Sequence, residues 1–335
     1  MRPTVPHTPG GPGASASVGG LTQNGPVTDD FGLAKTGQAE LRPGDAALVE
    51  RSLVLLGRRR PLHVVTKLAG GGSGSQVFLL ELDSERVVLK VTEDPSWRQR
   101  AGHELRVYRD FASTLHDFLP SIRAAYEDRA AVRLLLAEYD PCPPASALTP
   151  DTWVELGDQL GQLHRAAGPR PAWLTPRRWP SAEEVAQALH RWDNHGSGAL
   201  ARRAAADLAG VRDLHLSLPT VLTHGDCHLG NLLRGPTGRI LWIDWQEVCL
   251  STGLDDLVFL WQRAEFDGAR PPREAMTSAY VHARRLGPDG DFRAVLAASE
   301  LRLLLVAWPS YLSYGSTDRQ QILTRQLEQL VDEGP

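Results

Sequence analysis

Lysine is nearly missing from this sequence. Of 36 basic residues only Lys35, Lys67 and Lys90 are lysines, the rest being arginines. The skew reads as codon bias, and it makes Lys90 informative, because a chain that uses arginine nearly everywhere has kept a lysine inside an apolar strand. Cysteine is scarce too. Cys142, Cys227 and Cys249 are odd in number and lack C-x-x-C spacing, which predicts free thiols in a reducing compartment. No apolar run approaches the roughly 18 residues of a membrane span, and the start, Met-Arg-Pro-Thr-Val-Pro-His, has no apolar core of a secretory signal. The expectation is a soluble, cytoplasmic protein. The net charge of −4 gives no case for nucleic acid or an anionic membrane as partner. No Gly-Lys pair exists, so a Walker-type phosphate loop is excluded. What remains is a globular composition, 42% hydrophobic over 335 residues, enough for one large or two ordinary cores.

Composition shifts along the chain suggest its organisation. Residues 1–42 are rich in Pro, Gly, Ser and Thr without apolar periodicity, and are expected to be disordered. Asp45 to Leu56 has helical spacing, with Asp45 placed as a cap. Short β-branched runs follow at 62–67, 76–82 and 86–91, with Gly70-Gly-Gly-Ser-Gly-Ser75 between the first two. A glycine run between strands lets backbone N–H groups approach phosphate, but it is also an ordinary flexible hairpin, and Ser75 stands where the last glycine of G-x-G-x-x-G would fall. Trp97 to Ser113 reads as a helix with Ala101, Leu105, Tyr108 and Ala112 in one stripe, Glu104 lying at its edge. Runs at 122–126 and 131–139 complete a five-stranded antiparallel sheet. Beyond Thr149 the chain reads as helical, with segments at 149–164, 180–195, 199–214, from 253, 272–286, 291–312 and 317–331.

The chemistry concentrates in Thr223-His-Gly-Asp-Cys-His-Leu-Gly-Asn-Leu-Leu233, followed by Ile240-Leu-Trp-Ile-Asp-Trp-Gln246. Asp226 is followed five residues later by Asn231. Gly235-Pro-Thr-Gly238 then turns the chain into an apolar strand that delivers Asp244, so a hairpin brings both acids to one cleft. The Asp-x-x-x-x-Asn spacing matches the catalytic loop of phosphoryl-transferring kinases, where the aspartate takes the acceptor proton and the asparagine holds Mg²⁺; a later aspartate holds the bridging metal. Two other readings compete. Alternating His224, Asp226 and His228 could ligate zinc or iron in a hydrolase, and a polar turn with satisfied core histidines is the plainest alternative.

His224-Gly225-Asp226-x-His228-x-Gly230-Asn231 with Ile243-Asp244-Trp245 resembles the aminoglycoside phosphotransferase and choline kinase-like family. The resemblance implies an α+β, bilobal, protein-kinase-like fold. Its N-lobe (43–140) would hold the nucleotide on the five-stranded antiparallel sheet and one main helix, 141–148 would be the hinge, and 149–335 a mostly helical C-lobe carrying the catalytic β-hairpin. It further implies Asp226 as catalytic base or hydroxyl-orienting group, and Asn231 and Asp244 as Mg²⁺ ligands. Lys90 would contact the ATP phosphates with Glu104 orienting it, Gly72, Ser73 and Gly74 would cover them, and backbone around Glu138 and Tyr139 would meet adenine. His224 and His228 would be supporting residues. Cofactors are then ATP and Mg²⁺, and the partner is a small-molecule hydroxyl acceptor: an aminoglycoside or other antibiotic, choline, an amino sugar or an amino alcohol. A Ser/Thr protein kinase of the stress-response type and a nucleotide-binding pseudokinase are the alternatives. Asp255 and Asp256, opening a helix after Gly253, suit the helix dipole and read as mainly structural. Eight of nine tryptophans follow residue 150 and read mostly as core, and Glu247, Glu265, Asp267 and Glu300 could complement a cationic acceptor without being visibly clustered.

Overall fold

The computed structural model describes residues 38–39, 42–58, 63–68, 74–82, 84–166, 168, 170–286, 292–312 and 316–333. The first half is a sheet with a helix on each face. Its strands are β1 (Gln38–Ala39), β2 (His63–Leu68), β3 (Gln76–Leu82), β4 (Glu85–Thr92), β5 (Ile122–Glu127) and β6 (Val132–Ala137), all antiparallel in the order β1-β2-β3-β4-β6-β5. The five expected strands are present, and the added edge strand β1 falls inside the segment expected to be disordered. Alternation decides the faces. Val87, Leu89 and Val91 of β4 pack with Phe78 and Leu80 against Leu48, Val49 and Leu53 of α1 (Pro43–Leu55). The opposite face, through Val132, Leu134 and Leu136 of β6, meets Ala101, Leu105 and Tyr108 of α2 (Pro95–Asp110). Strand β6 is buried along its whole length, as a strand covered on both faces must be.

Asp45 is not the cap of α1. It is the third helical residue, accepting the Arg42 N–H at 2.8 Å and pairing with Lys67 at 2.7 Å, so it ties the helix to β2. Helix α2 stops at Asp110, which leaves Ala112 exposed and outside the stripe predicted for it. Gly72 and Ser73 lie outside the described residues. Gly74 is described, left-handed at φ +62°, and a Cβ there would fall 2.3 Å from the Trp97 ring.

The second half is built on α3 (Pro150–Ala166), α4 (Ala182–Asn194), α5 (Gly198–Ala204), α6 (Leu208–His215), α7 (Leu254–Phe266), α8 (Arg273–Arg284), α9 (Phe292–Arg302) and α10 (Thr317–Glu333). Two expected helices are interrupted. The 199–214 run breaks at a 3₁₀ turn, Ala205–Asp207, because Asp207 caps α6 by accepting the Gly210 N–H at 3.0 Å. The 291–312 run passes from α9 into a π turn, Leu303–Ala307, and then a 3₁₀ turn at Trp308–Ser310. Helices α3 and α8 cross closely. A Cβ on Gly157 or Gly161 would sit 2.5 Å from the Met276 carbonyl or 2.6 Å from that of Tyr280, so only glycine permits the crossing.

Between the helices lie the short strands that carry the site. β9 (Leu232–Arg234) and β10 (Ile240–Trp242) form the expected hairpin, and β7 (Asp140–Pro141) adds to it, pairing Asp140 with Arg234. β8 (Val221–Thr223), which leads into the motif, pairs with β11 (Cys249–Ser251), which leaves it. The stretch from Thr223 to Cys249 is thereby closed at its base. Among the described residues no helix is long and apolar enough to cross a membrane, and all three cysteines are buried free thiols.

Candidate active site

Lys90 leaves β4 between two carboxylates. Its Nζ is 2.7 Å from Glu104 Oε2 on α2 and 2.8 Å from Asp244 Oδ1. Glu104 is only 1% exposed, so its charge is tolerated by the pairing. Burial acts to lower the Lys90 ammonium, but Asp244 and Glu104 outweigh it and hold the group above its usual range. Asp244 follows β10 in a left-handed conformation (φ 64°, ψ 53°), rare for a residue with a side chain; the turn swings the carboxylate off the strand line and onto Lys90.

The hairpin brings the other two members alongside. The Ile243 N–H donates to the Asn231 carbonyl at 3.0 Å, continuing the β9–β10 ladder by one rung, so Asp244 emerges beside Asn231. The Asn231 side-chain amide donates to the Asp226 carbonyl at 3.0 Å and to Asp226 Oδ2 at 3.1 Å. Both contacts use Nδ2, which leaves Oδ1 as the free acceptor of that side chain. Asp226 is half-buried. Burial acts to raise its carboxyl, but the facing His228 ring, with His224 and Arg263 behind it, outweighs this and keeps the group well below the usual carboxylate range.

The two motif histidines brace the loop. His224 donates from Nε2 to the Ile243 carbonyl at 2.7 Å and accepts the Asp226 N–H on Nδ1 at 3.3 Å, which fixes its tautomer and locks the loop to the hairpin. His228 accepts the Gly230 N–H on Nδ1 at 3.1 Å, which leaves Nε2 facing Asp226 Oδ2 at 3.6 Å. With both nitrogens of His224 used on backbone, the alternating His-Asp-His pattern does not converge on one metal. Gly225 has φ +86°, and a Cβ on it would lie 2.1 Å from the Glu247 carbonyl, so the loop's turn requires glycine.

Asp256 carries more than a helix-dipole contact. It is 1% exposed and accepts the backbone N–H of His224 at 2.6 Å and of Gly225 at 2.8 Å, while His164 Nε2 lies 3.2 Å from Oδ2. His164 in turn bonds Tyr280 Oη at 2.8 Å across the close α3–α8 crossing. Asp255 is likewise internal, held by Arg302 at 2.7 Å and Ser251 Oγ at 3.1 Å. Arg177, which the sequence reading did not single out, reaches the Gly225 carbonyl at 3.3 Å and Cys249 Sγ at 3.3 Å. Just after β6 the Glu138 N–H is already used by the Arg86 carbonyl at 3.2 Å, and the Glu138 side chain pairs with Arg86 at 2.9 Å. The Tyr139 hydroxyl is tied to Ser121 Oγ at 3.1 Å.

Residues 64–296 match the model of the phosphotransferase enzyme family. The chain belongs to that family. Solved structures agree on the fold of this family member. A spectinomycin phosphotransferase in complex with ADP and spectinomycin aligns at a TM-score of 0.59 and 16% identity, over 85% of this chain and 93% of its own. A thermostable mutant of aminoglycoside phosphotransferase APH(4)-Ia, in a ternary complex with ADP and hygromycin B, aligns at 0.59 and 16%, over 86% and 99%. A microcompartment-associated aminopropanol kinase aligns at 0.58 and 18%, over 86% and 95%. A search of curated proteins returns no match. The α+β, kinase-like fold of this phosphotransferase is therefore the one the motif implies.

Proposed function

We propose that the protein moves the γ-phosphoryl group of ATP to a hydroxyl of a small molecule, with Mg²⁺. The observation that carries this reading is one run of contacts: Glu104 to Lys90, Lys90 to Asp244, and, through the adjoining Ile243 and its backbone rung to Asn231, Asn231 to Asp226. Phosphoryl transfer asks for positioning and charge neutralisation rather than covalent chemistry, and this run supplies a cation, two oxygen donors and a carboxylate in one cleft.

The donor set fits Mg²⁺. The free Asn231 Oδ1 and the Asp244 carboxylate are hard oxygens, and Mg²⁺ is ordinarily held by one or two carboxylates plus phosphates and water. When bound there, Mg²⁺ neutralises phosphate charge. Asp226 orients the acceptor hydroxyl and receives its proton as the new P–O bond forms and ADP leaves. A loose transition state asks more for orientation of the hydroxyl than for strong base catalysis, which a carboxylate held by Asn231 supplies. Lys90, held charged by Glu104, takes the phosphates, and backbone at Glu138 and Tyr139 meets adenine through groups other than the Glu138 N–H.

The acids that could have received a cationic acceptor are already paired: Glu247 with Arg100 at 3.1 Å, Glu300 with Arg273 at 3.2 Å, Asp267 with Arg263 at 3.3 Å, and Glu265 with Arg273. This favours an acceptor with few positive charges over a polyamine-like aminoglycoside. ADP release would be followed with Mg²⁺, ATP and a panel of macrolides, amino alcohols, choline, amino sugars and aminoglycosides, with Asp226→Asn as the blank. One strong hit supports the reading. Phosphate appearing only on the protein itself would replace it with a protein kinase, and no ATP-dependent transfer to anything would leave a nucleotide-binding pseudokinase.

A further inference from the structure

A cavity of about 330 Å³ is lined by Leu174, Leu222 and Leu250, by Arg165, Arg170 and Arg284, and by His164. No aspartate or glutamate lines it among the described residues. The three arginines are anchored through carbonyl and hydroxyl oxygens. Arg165 donates to the Ala283 carbonyl at 2.8 Å, and Arg170 to that of Thr220. Arg284 donates to the carbonyls of Thr252 and Pro219 and to Tyr280 Oη at 3.0 Å. None of the three forms an ion pair with a carboxylate among the described residues, whereas arginines elsewhere do so repeatedly: Arg100 with Glu247, Arg273 with Glu265, Arg302 with Asp255.

Carbonyl acceptors orient a guanidinium without cancelling its charge. Three such groups around one concavity repel one another and are left short of an anion. Arg284 is 7% exposed, so its charge is held in a largely dry setting where a counter-ion gains most. Arg165 and Arg170 are exposed and each commits one of five N–H donors, leaving forked donors for a carboxylate or phosphate at the mouth. Below them the floor is leucine. The volume sits at the small end of ligand pockets, which run from roughly 300 Å³ upward.

We propose that this cavity is a binding site for a small amphipathic anion, a carboxylate or phosphate monoester head on a short apolar body, with Arg165, Arg170 and Arg284 receiving the head and Leu174, Leu222 and Leu250 the body. The site abuts the catalytic loop: Leu222 belongs to β8, one residue before Thr223, and Arg284 bonds Tyr280, which bonds His164, the partner of Asp256.

The test uses the full chain and does not depend on the phosphotransfer reading. Thermal unfolding would be followed while titrating octanoate, octyl phosphate, octylammonium and inorganic phosphate, for the wild type and for Arg165→Ala/Arg170→Ala. These two side chains are exposed and hold only carbonyls, and the unliganded melt of the variant reports directly whether it folds; Arg170→Ala alone is the milder form. Expected is a saturable rise of roughly 2–4 °C with octanoate or octyl phosphate, reduced at least tenfold in apparent affinity in the double variant. An equal rise with octylammonium, an unchanged rise in the variants, a rise with inorganic phosphate alone, or no rise at all would each overturn the proposal.

Discussion

Asp256 reaches across 32 residues of sequence to accept the main-chain N–H of His224 at 2.6 Å. Because its second oxygen takes the Gly225 N–H, one carboxylate on a buried helix fixes the entry of the catalytic loop. Replacing it by alanine leaves two buried N–H groups and His164 without an acceptor. Asp256→Ala is expected to cost about 3–5 kcal/mol of stability, the range for breaking a buried charge–hydrogen-bond network. It should also lower turnover among molecules that remain folded. Denaturant unfolding and turnover per folded molecule check this; wild-type values in both would remove the clamp role.

Stability should fall in two separate steps as pH is lowered. His103, His164 and His215 are all held below the usual imidazole value, chiefly by burial. A histidine with a depressed folded pKa is protonated first in the unfolded chain. Its contribution is therefore present above about pH 6.5 and is lost as pH falls from there. Asp45, Asp226, Asp255 and Asp256 are depressed instead by partners that overcome burial, so their contribution persists until about pH 4 and is lost below it. His164→Gln should shrink the first step and spare the second. Glu104 and Glu247, raised by burial, act in the opposite direction over this window, so the check is the difference between the wild type and His164→Gln; identical curves between about pH 7.5 and 5 would contradict the histidine assignment.

Gly225→Ala tests the loop turn. The added methyl meets the Glu247 carbonyl and the backbone must keep φ near +86°. Strain of this kind costs on the order of 1–3 kcal/mol, and relief by shifting the loop would displace Asp226. The expected result is a lower melting temperature together with a fall in kcat. Unchanged values would mean the loop relaxes freely.

Asp244→Ala removes one of the two anions on Lys90 and one of the two oxygen donors proposed for the metal, leaving Asn231 as the other. ATP-dependent turnover should disappear while the melting temperature drops little, since Glu104 still pairs with Lys90. Asp226→Asn keeps the shape and should reduce kcat by about 10²–10⁴, the usual span for a positioned acid–base group. Full turnover in the first, or an effect confined to KM in the second, would reassign these residues.

Much of this arrangement was legible because local order in the chain mirrors order in space. Asp226, Asn231 and Asp244 lie on one loop and its hairpin, and Lys90 and Glu104 on a strand and the helix that follows it. Asp256 reads as structural from its place at a helix start, but its partners on the loop do not show in the sequence. Leu254, Leu257, Val258, Leu260, Trp261 and Ala264 make one broad apolar face of α7, and Asp256 lies off that face, so periodicity alone does not reveal that the helix is buried around it as well. Arg177, Tyr280 and Arg284 left no trace either, since their contacts span dozens of residues and follow no periodicity. The break in the 199–214 helix was readable from Asp207, whose side chain competes for the backbone three residues on.

Lys90 meets a carboxylate of Asp244 in the place where, under the proposed reaction, a phosphate oxygen would stand. This ammonium thus ties the β4–α2 side of the molecule, through Glu104, to the turn after β10, through Asp244. Under that reaction, triphosphate binding would trade one anion for another at a single cation and leave Asp244 to face the metal. On that reading Asp244 is an internal stand-in, at Lys90, for one phosphate oxygen of the ligand.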